Sequence, residues 1–403
     1  MLGFFHSFMV VIPVFVPLLQ SYGLSMSEVL QTQALFALTI ALCEVPSGYF
    51  ADVFGRRNAI LVGAAFNAFG FLSLFWADGF IDFLLYEFVL GIGFSLISGA
   101  DLALLYDTEL YLQQQAPAKS KGPGKSLSRL IAVESAASAV AGIAASLLLM
   151  WSLQAVVILQ ALTGLLPFFL AFLLVESPRN QTASEGFRAD AKQILQLLLF
   201  GKPLVLWTAL AIAILGLLSI YSFWIYQKFW EFHNVPLNYY GYIWAAFALV
   251  VSVSARFSAA FEKRLGPRNL LILIGVLPLF GLLGMALGSG WIAVAFGFAI
   301  QLSRGLSMSL FYEALNSRVP GDFRATINSL VGMGVRVVFI VTGPLLGYLL
   351  DRFGVTSTLL LLVVTFVPLI AMVLIPLAKH IRNEENAAKP ADSAKVSDVL
   401  TAS

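Results

Sequence analysis

Eight ionisable side chains stand inside stretches that are otherwise apolar: Glu44, Glu87, Asp101, Glu134, Arg256, Arg304, Glu313 and Arg336. A charge at the middle of a bilayer costs ~2.5–3.5 kcal/mol on insertion scales, so those that persist face a cavity or a partner. Two kinds of chemistry suit them. A carboxyl group among apolar helices, as at Asp101 and Glu134, can exchange between a neutral and an ionised form and so carry a proton. A guanidinium near the middle of such a stretch, as at Arg304 and Arg336, can hold an anion or take part in proton coupling. Each has a structural alternative. Asp101 or Glu134 can pair with Arg129 or Arg56, and either mid-stretch arginine can bridge permanently to an acid elsewhere. Glu87 and Asp101 lie fourteen residues apart, close to four helical turns, so they share a helix face that can line a cavity. Glu313 completes the acids, and Arg256 reads as a charge snorkelling to the surface.

A denser group of charges is Gly48-Tyr49-Phe50-Ala51-Asp52-Val53-Phe54-Gly55-Arg56-Arg57. One acid, two arginines and a turn glycine in ten residues belong at a membrane face, not within lipid. Asp52 can accept hydrogen bonds from the N-terminus of a neighbouring helix, where the dipole favours negative charge. The plain alternative is a positively charged turn that only fixes topology. Glu44, just ahead of Pro46, fits this corner as well as an internal cavity.

These residues need long apolar helices to position them, and the composition supplies nothing else. Of 403 residues 59% are hydrophobic and 11% charged, against ~25% charged in soluble domains; the mean hydropathy is +0.88. The 34 Phe and 32 Gly suit closely packed membrane helices. A net charge of +2 gives no reason to expect nucleic acid. The sole cysteine, Cys43, excludes an internal disulfide, and His6, His233 and His380 are too scattered for a metal cluster. No cofactor is implied, and no G-x-x-x-x-G-K-[ST] nucleotide loop occurs.

A spanning helix needs ~20 apolar residues. Runs of that length lie at about 2–22, 27–50, 58–77, 80–106, 128–150, 153–175, 203–227, 237–260, 268–287, 290–316, 325–350 and 355–378. The first lacks a basic leader and a small-residue cleavage site, so it reads as a true span, and its abrupt start leaves room for a few preceding residues. With both termini inside, nineteen of the 24 Lys and Arg fall in inner segments. Only Lys228 and Arg352 fall outside, and three arginines lie within spans. The positive-inside rule therefore puts both termini in the cytoplasm, in a cell (inner) membrane. The expected organisation is an N-terminal bundle (1–175), a cytoplasmic loop (176–202, with an amphipathic stretch Phe187–Leu199), a C-terminal bundle (203–378) and a disordered tail (379–403).

The halves echo each other. The turn Asp52–Arg57 has a degenerate partner in Glu262-Lys263-Arg264-Leu265-Gly266-Pro267-Arg268, and both place glycine where a tight reversal demands positive φ. Ala141-Gly142-Ile143-Ala144-Ala145-Ser146 in span 5 echoes Thr342-Gly343-Pro344-Leu345-Leu346-Gly347 in span 11. Transporter folds show such internal symmetry, with the binding site between the repeats near the midplane.

The spacing Gly48, Asp52, Gly55, Arg56, Arg57 resembles the loop 2–3 signature of the major facilitator superfamily, G-x-x-x-D-x-x-G-R-[RK]. Leu90-Gly91-Ile92-Gly93 with Ser98-Gly99-Ala100, Asn316–Pro320 with Arg324-Ala325-Thr326, and Gly343-Pro344 with Gly347 are similar to further family stretches. The resemblance covers nearly the whole chain except the tail. It implies an all-α membrane protein of twelve spans in two pseudo-symmetric six-helix bundles. It also implies that the 2–3 signature is a cytoplasmic gate latching the outward-open state. Asp52 would then cap the helix starting near Arg324–Thr326, and Arg56 would bridge to Asp107. Two departures stand out. Glu87 occupies a region where many members place an arginine, and span 5 keeps only Gly142 of the antiporter motif G-x-x-x-G-P.

The function expected from this reading is secondary active transport of a small amphipathic organic solute by alternating access, as proton-coupled efflux. Small-molecule substrate, H+ and the lipid bilayer are the partners, and the chain is expected to act as a monomer. Aromatic side chains such as Tyr221 and Trp244 are candidates to stack on the solute in the cavity. Proton-coupled uptake is the alternative within transporters. A channel or lipid-handling protein and a membrane-embedded transferase are the alternatives outside them, and loops this short suit no transferase.

Overall fold

The computed structural model describes residues 1–115, 123–176, 203–320 and 323–388. The central stretch from 177 to 202, including Phe187–Leu199, and residues 389–403 of the expected tail lie outside the described residues, whereas 379–388, expected as the start of a disordered tail, continue the last helix. All regular structure among the described residues is helical: α1 (Leu2–Ser7), a 3-10 turn (Ile12–Val14), α2 (Phe15–Ser21), α3 (Met26–Phe54), α4 (Arg56–Ser73), α5 (Phe80–Gln115), α6 (Pro123–Leu148), α7 (Leu153–Gly164), α8 (Leu166–Ala171), α9 (Pro203–Phe232), a second 3-10 turn (Leu237–Tyr239), α10 (Tyr240–Arg256), α11 (Ser258–Leu287), α12 (Gly290–Arg318) and α13 (Arg324–Ala388).

Ten segments among the described residues are long and apolar enough to cross a bilayer. Two details make this consistent with the twelve spans of the sequence. Gly354, at φ 78° and ψ 173°, is not helical and divides α13 in two. The 18-residue α4 opens on Arg56 and Arg57, which dilute its hydropathy. Leu, Val, Ile and Trp side chains such as Trp76, Val175, Val341 and Ile375 stand exposed on the exterior, as lipid-facing positions of a multi-pass membrane protein do.

The first span departs from expectation. It is interrupted between α1 and α2 near Pro13, and its freed backbone groups are met by glutamines from distant helices. Val11 N–H donates to Gln160 Oε1 (3.3 Å), Val16 N–H donates to Gln227 Oε1 (2.9 Å), and Gln227 Nε2 donates to the Ile12 carbonyl (2.9 Å). Inside a membrane such groups must be satisfied by protein, which explains why Gln227 is fully buried.

Helices before residue 176 pack mainly on one another, through α3–α5, α4–α5, α4–α8 and α1–α6. Those after 203 do the same through α9–α13, α10–α12 and α11–α12. The halves meet along α3–α13 and α6–α10, with α2 against α9. The span-5 and span-11 glycines that echo in sequence lie at these seams. A Cβ on Gly142 would come within 2.8 Å of the Gly241 carbonyl, and one on Gly347 within 2.5 Å of the Met26 carbonyl.

Both ends of the described chain return to the face that carries Asp52–Arg57, the motif face. Leu2 packs beside Phe50 and Leu174, and Glu384 pairs with Arg318 at the end of α12 (3.2 Å). The backbone seams at Gly142 and Gly347 lie at the opposite, far face.

Candidate functional site

The motif corner is built by the turn from α3 into α4. Gly55 makes it at φ 105°, in the region that favours glycine. The Arg56 guanidinium donates to the Ala103 carbonyl (2.6 Å) and to the Asp107 carboxylate, both on α5. The Glu176 carboxylate, just past α8, accepts the N–H groups of Arg56 (3.0 Å) and Arg57 (2.7 Å). It therefore caps α4, whose first amides have no helical partner. Arg57 Nη2 donates to the Phe172 carbonyl (3.2 Å). Small side chains beneath (Ala51, Ala59, Ala100, Ala171) let the four helices close together. Asp52 lies on the exposed side of the last turn of α3, and Gly48 one turn earlier.

Above this corner, toward mid-membrane, a cavity of about 450 Å³ opens between the halves. Gln33, Phe36 and Ile40 of α3 face Phe223 and Trp224 of α9, Arg304 and Phe311 of α12, and Arg336 and Phe339 of α13. Glu44 joins the two halves at its edge. It accepts from Ser329 Oγ (2.5 Å) and pairs with Arg336 (3.3 Å). A second cavity of about 680 Å³ continues past Glu44 to Ser47, Ser95, Arg56 and Asp107 at the motif face.

The remaining sequence candidates scatter. Glu87 does not line the cavity. It is buried one layer behind, where it accepts from Gln33 Nε2 (2.5 Å). Asp101 does not line it either, so the Glu87–Asp101 face is not the cavity wall. Asp101 of α5 and Glu134 of α6 lie near each other on neighbouring helices. Neither makes an ion pair among the described residues, and Arg56 is committed to Asp107. Glu313 is exposed, nine residues and half a turn out of phase with Arg304. Tyr221 is a strut between helices, donating to Thr342 Oγ1 (2.5 Å) and packing on Phe366. Trp244 packs edge-on against Phe223 (4.7 Å) and does not reach the cavity wall. The aromatic rings there are instead Phe36, Phe223, Trp224, Phe311, Tyr312 and Phe339.

Three further residues went unnoticed in the sequence. Glu176 and Gln227 are one each, and Asp351 is the third. The Asp351 carboxylate accepts Met26 N–H (3.0 Å) and Ser27 N–H (2.8 Å), capping α3 from the other half at the far face. One signal was available: Asp351-Arg352-Phe353-Gly354 repeats the D-x-F-G of Asp52-Val53-Phe54-Gly55. Among the described residues no His, Cys, Asp or Glu side chains converge as metal ligands.

The sequence matches the Major Facilitator Superfamily profile over residues 1–338 and again over 233–400. No curated protein matches it. Several solved structures share the fold. The nucleoside transporter NupG is 12% identical, with a TM-score of 0.74 over 93% of this chain and 97% of that one. A bacterial homologue of the human lysosomal transporter Spinster, inward-facing and unoccupied, is 15% identical, with a TM-score of 0.73 over 94% of each chain. A D-xylose–proton symporter is 15% identical, with a TM-score of 0.67 over 91% and 94%.

Proposed function

The chain belongs to the major facilitator superfamily, a family of transporters and not of enzymes, and from that premise we propose that it exports a small amphipathic organic solute in exchange for protons. One observation carries this reading. The halves touch backbone to backbone at the far face, while an aromatic cavity with two arginines lies between them on the motif side. Alternating access requires such a pair of bundles pivoting about a central site. The Lys and Arg distribution supports a cytoplasmic motif face and cytoplasmic termini, and the solute would then enter from the cytoplasm. The Asp52–Arg57 corner acts as the gate, with Arg56–Asp107 fixing its shape and Glu44 joining the halves above it.

Asp101 and Glu134 are the proposed proton carriers. Two adjacent carboxylates without a basic partner among the described residues hold a shared proton more readily than two charges. Uphill transport would draw its energy from an ion gradient, since the sequence carries no G-x-x-x-x-G-K-[ST] loop. Uptake by symport remains the second reading, because Gly142 stands without the rest of the antiporter motif.

Flux of a compound panel into proteoliposomes under an imposed pH gradient tests both. Wild-type protein should accumulate its substrate in step with the gradient. Asp101→Asn and Glu134→Gln should abolish the gradient's effect and retain counterflow. Transport indifferent to the gradient and to both substitutions would end the proton assignment, and the direction of coupled flux separates export from uptake.

A further inference from the structure

The cavity carries one cation too many. Arg336 is balanced by Glu44 (3.3 Å). Arg304 lines the same cavity at the midpoint of α12, and among the described residues its guanidinium makes no ion pair and no hydrogen bond. Among the described residues no carboxylate stands nearby to answer it, and its titratable neighbour is the Tyr226 phenol, whose hydroxyl donates to the Gly297 carbonyl (3.3 Å). Glu44 is held by Ser329 and Arg336, Glu87 is turned to Gln33, and Glu313 lies on the opposite side of α12. Asp101 and Glu134 do not line the cavity.

An unpaired guanidinium deep in a low-dielectric site is costly unless something completes it. Ser219 and Ser307 share the cavity wall with it, but among the described residues neither hydroxyl accepts a hydrogen bond from the guanidinium, and a neutral hydroxyl would leave its charge unbalanced. Around Arg304 the wall is apolar and aromatic, from Phe223, Trp224, Phe311 and Phe339. Small residues leave room, for a Cβ on Gly332 would meet nothing within 4 Å. A volume of about 450 Å³ is that of a small-molecule site.

We propose that the substrate is a monoanionic organic acid, whose carboxylate docks on Arg304 and whose apolar body lies against the aromatic wall. A single negative charge balances the cavity, because Arg336 already has its counter-charge, and a planar guanidinium matches a carboxylate with two parallel hydrogen bonds. The assignment rests on the transporter reading above and narrows it to one class of solute.

Binding of three matched compounds to the purified full-length protein in neutral detergent tests it. They are 4-phenylbutyrate, its amide and 4-phenylbutylamine, which share a body and differ in charge. Binding is read as a shift in melting temperature and as quenching of tryptophan emission, to which Trp224 contributes. The carboxylate should bind about tenfold or more tightly than the amide, and the amine not at all. Arg304→Gln should remove the advantage of the carboxylate while leaving the amide unchanged, and Arg304→Lys should restore part of it. Equal binding of the three, a preference for the amine, or no binding of the carboxylate up to its solubility limit would overturn the proposal. The wild-type comparison stands even if the variants fail to fold. Charge-selective binding without flux in proteoliposomes would leave this assignment intact and end the transporter reading. Flux of neutral or cationic solutes alone would do the reverse.

Discussion

Glu176 holds the motif corner from outside the ten residues that define it. Its carboxylate takes the first two amides of α4, a service that a capping side chain usually performs from within the turn. Gly55 cannot perform it, having no side chain. Glu176→Ala should therefore cost about 1 kcal/mol, a figure kept low because the residue is exposed, and Glu176→Gln should recover part of it. Thermal melting in detergent reads both, and an unchanged midpoint for the alanine variant would remove Glu176 from the corner. The turn itself was legible because its logic is local: Gly55 announces a positive φ. The Arg56–Asp107 bridge spans 51 residues and came only from the family resemblance. Glu176 was not legible, since 120 residues separate it from Arg56. Spacing along a helix gives depth in the membrane but not which neighbour faces which. For the same reason the cavity arginines were found while Tyr221 and Trp244 were chosen over Phe36 and Trp224. The angle around the helix, which decides which side chains reach the cavity, was not readable.

At the scale of helices, the interrupted first span depends on a side chain in the opposite half. Hydropathy counts side chains, and residues 2–22 are apolar on average despite His6, Ser7, Gln20 and Ser21, so nothing in their sum reveals a break whose cost falls on the backbone. Gln227 meets that cost with one acceptor and one donor, to Val16 N–H and the Ile12 carbonyl. Gln227→Leu preserves apolar packing but orphans both groups, at ~1–3 kcal/mol each. The expected result is a large fall in melting temperature, with faster hydrogen exchange confined to residues 11–16. Gln227→Glu keeps an acceptor and loses the amide donor, so it should fall between. A leucine variant that melts and exchanges like the wild type would show that the break is held by other contacts. The seam glycines belong to this scale too. Gly142 and Gly241 face each other so closely that neither tolerates a Cβ without the helices parting, and their pairing explains why the repeat keeps glycine in span 5 although the neighbouring antiporter residues are absent.

For the whole molecule, α3 and α13 form the seam on which opening at either face must turn. At the far face Asp351, one turn before Gly354, caps the start of α3. At the motif face Asp52, one turn before Gly55, lies on the same helix pair, and the family resemblance gives it the start of α13. The two D-x-F-G sequences lie one in each half, and the cap observed for Asp351 at the far face is of the kind that the resemblance implies for Asp52 at the motif face. A cap of two charge-assisted hydrogen bonds, partly exposed, is worth ~1–2 kcal/mol, and that is enough to change a two-state population by about 5–30-fold. Asp351→Asn should accordingly weaken far-face closure without unfolding either bundle. Spin labels at Asp78 and Ser289, exposed far-face positions in opposite halves, report this in a Cys43→Ser background. Pulsed distance measurements should show a longer-distance population growing in Asp351→Asn, and Asp52→Asn should move the balance the other way. A distance distribution indifferent to Asp351→Asn would mean that the glycine seams alone keep the far face shut, and the aspartate would then be a cap for α3 and no part of a switch.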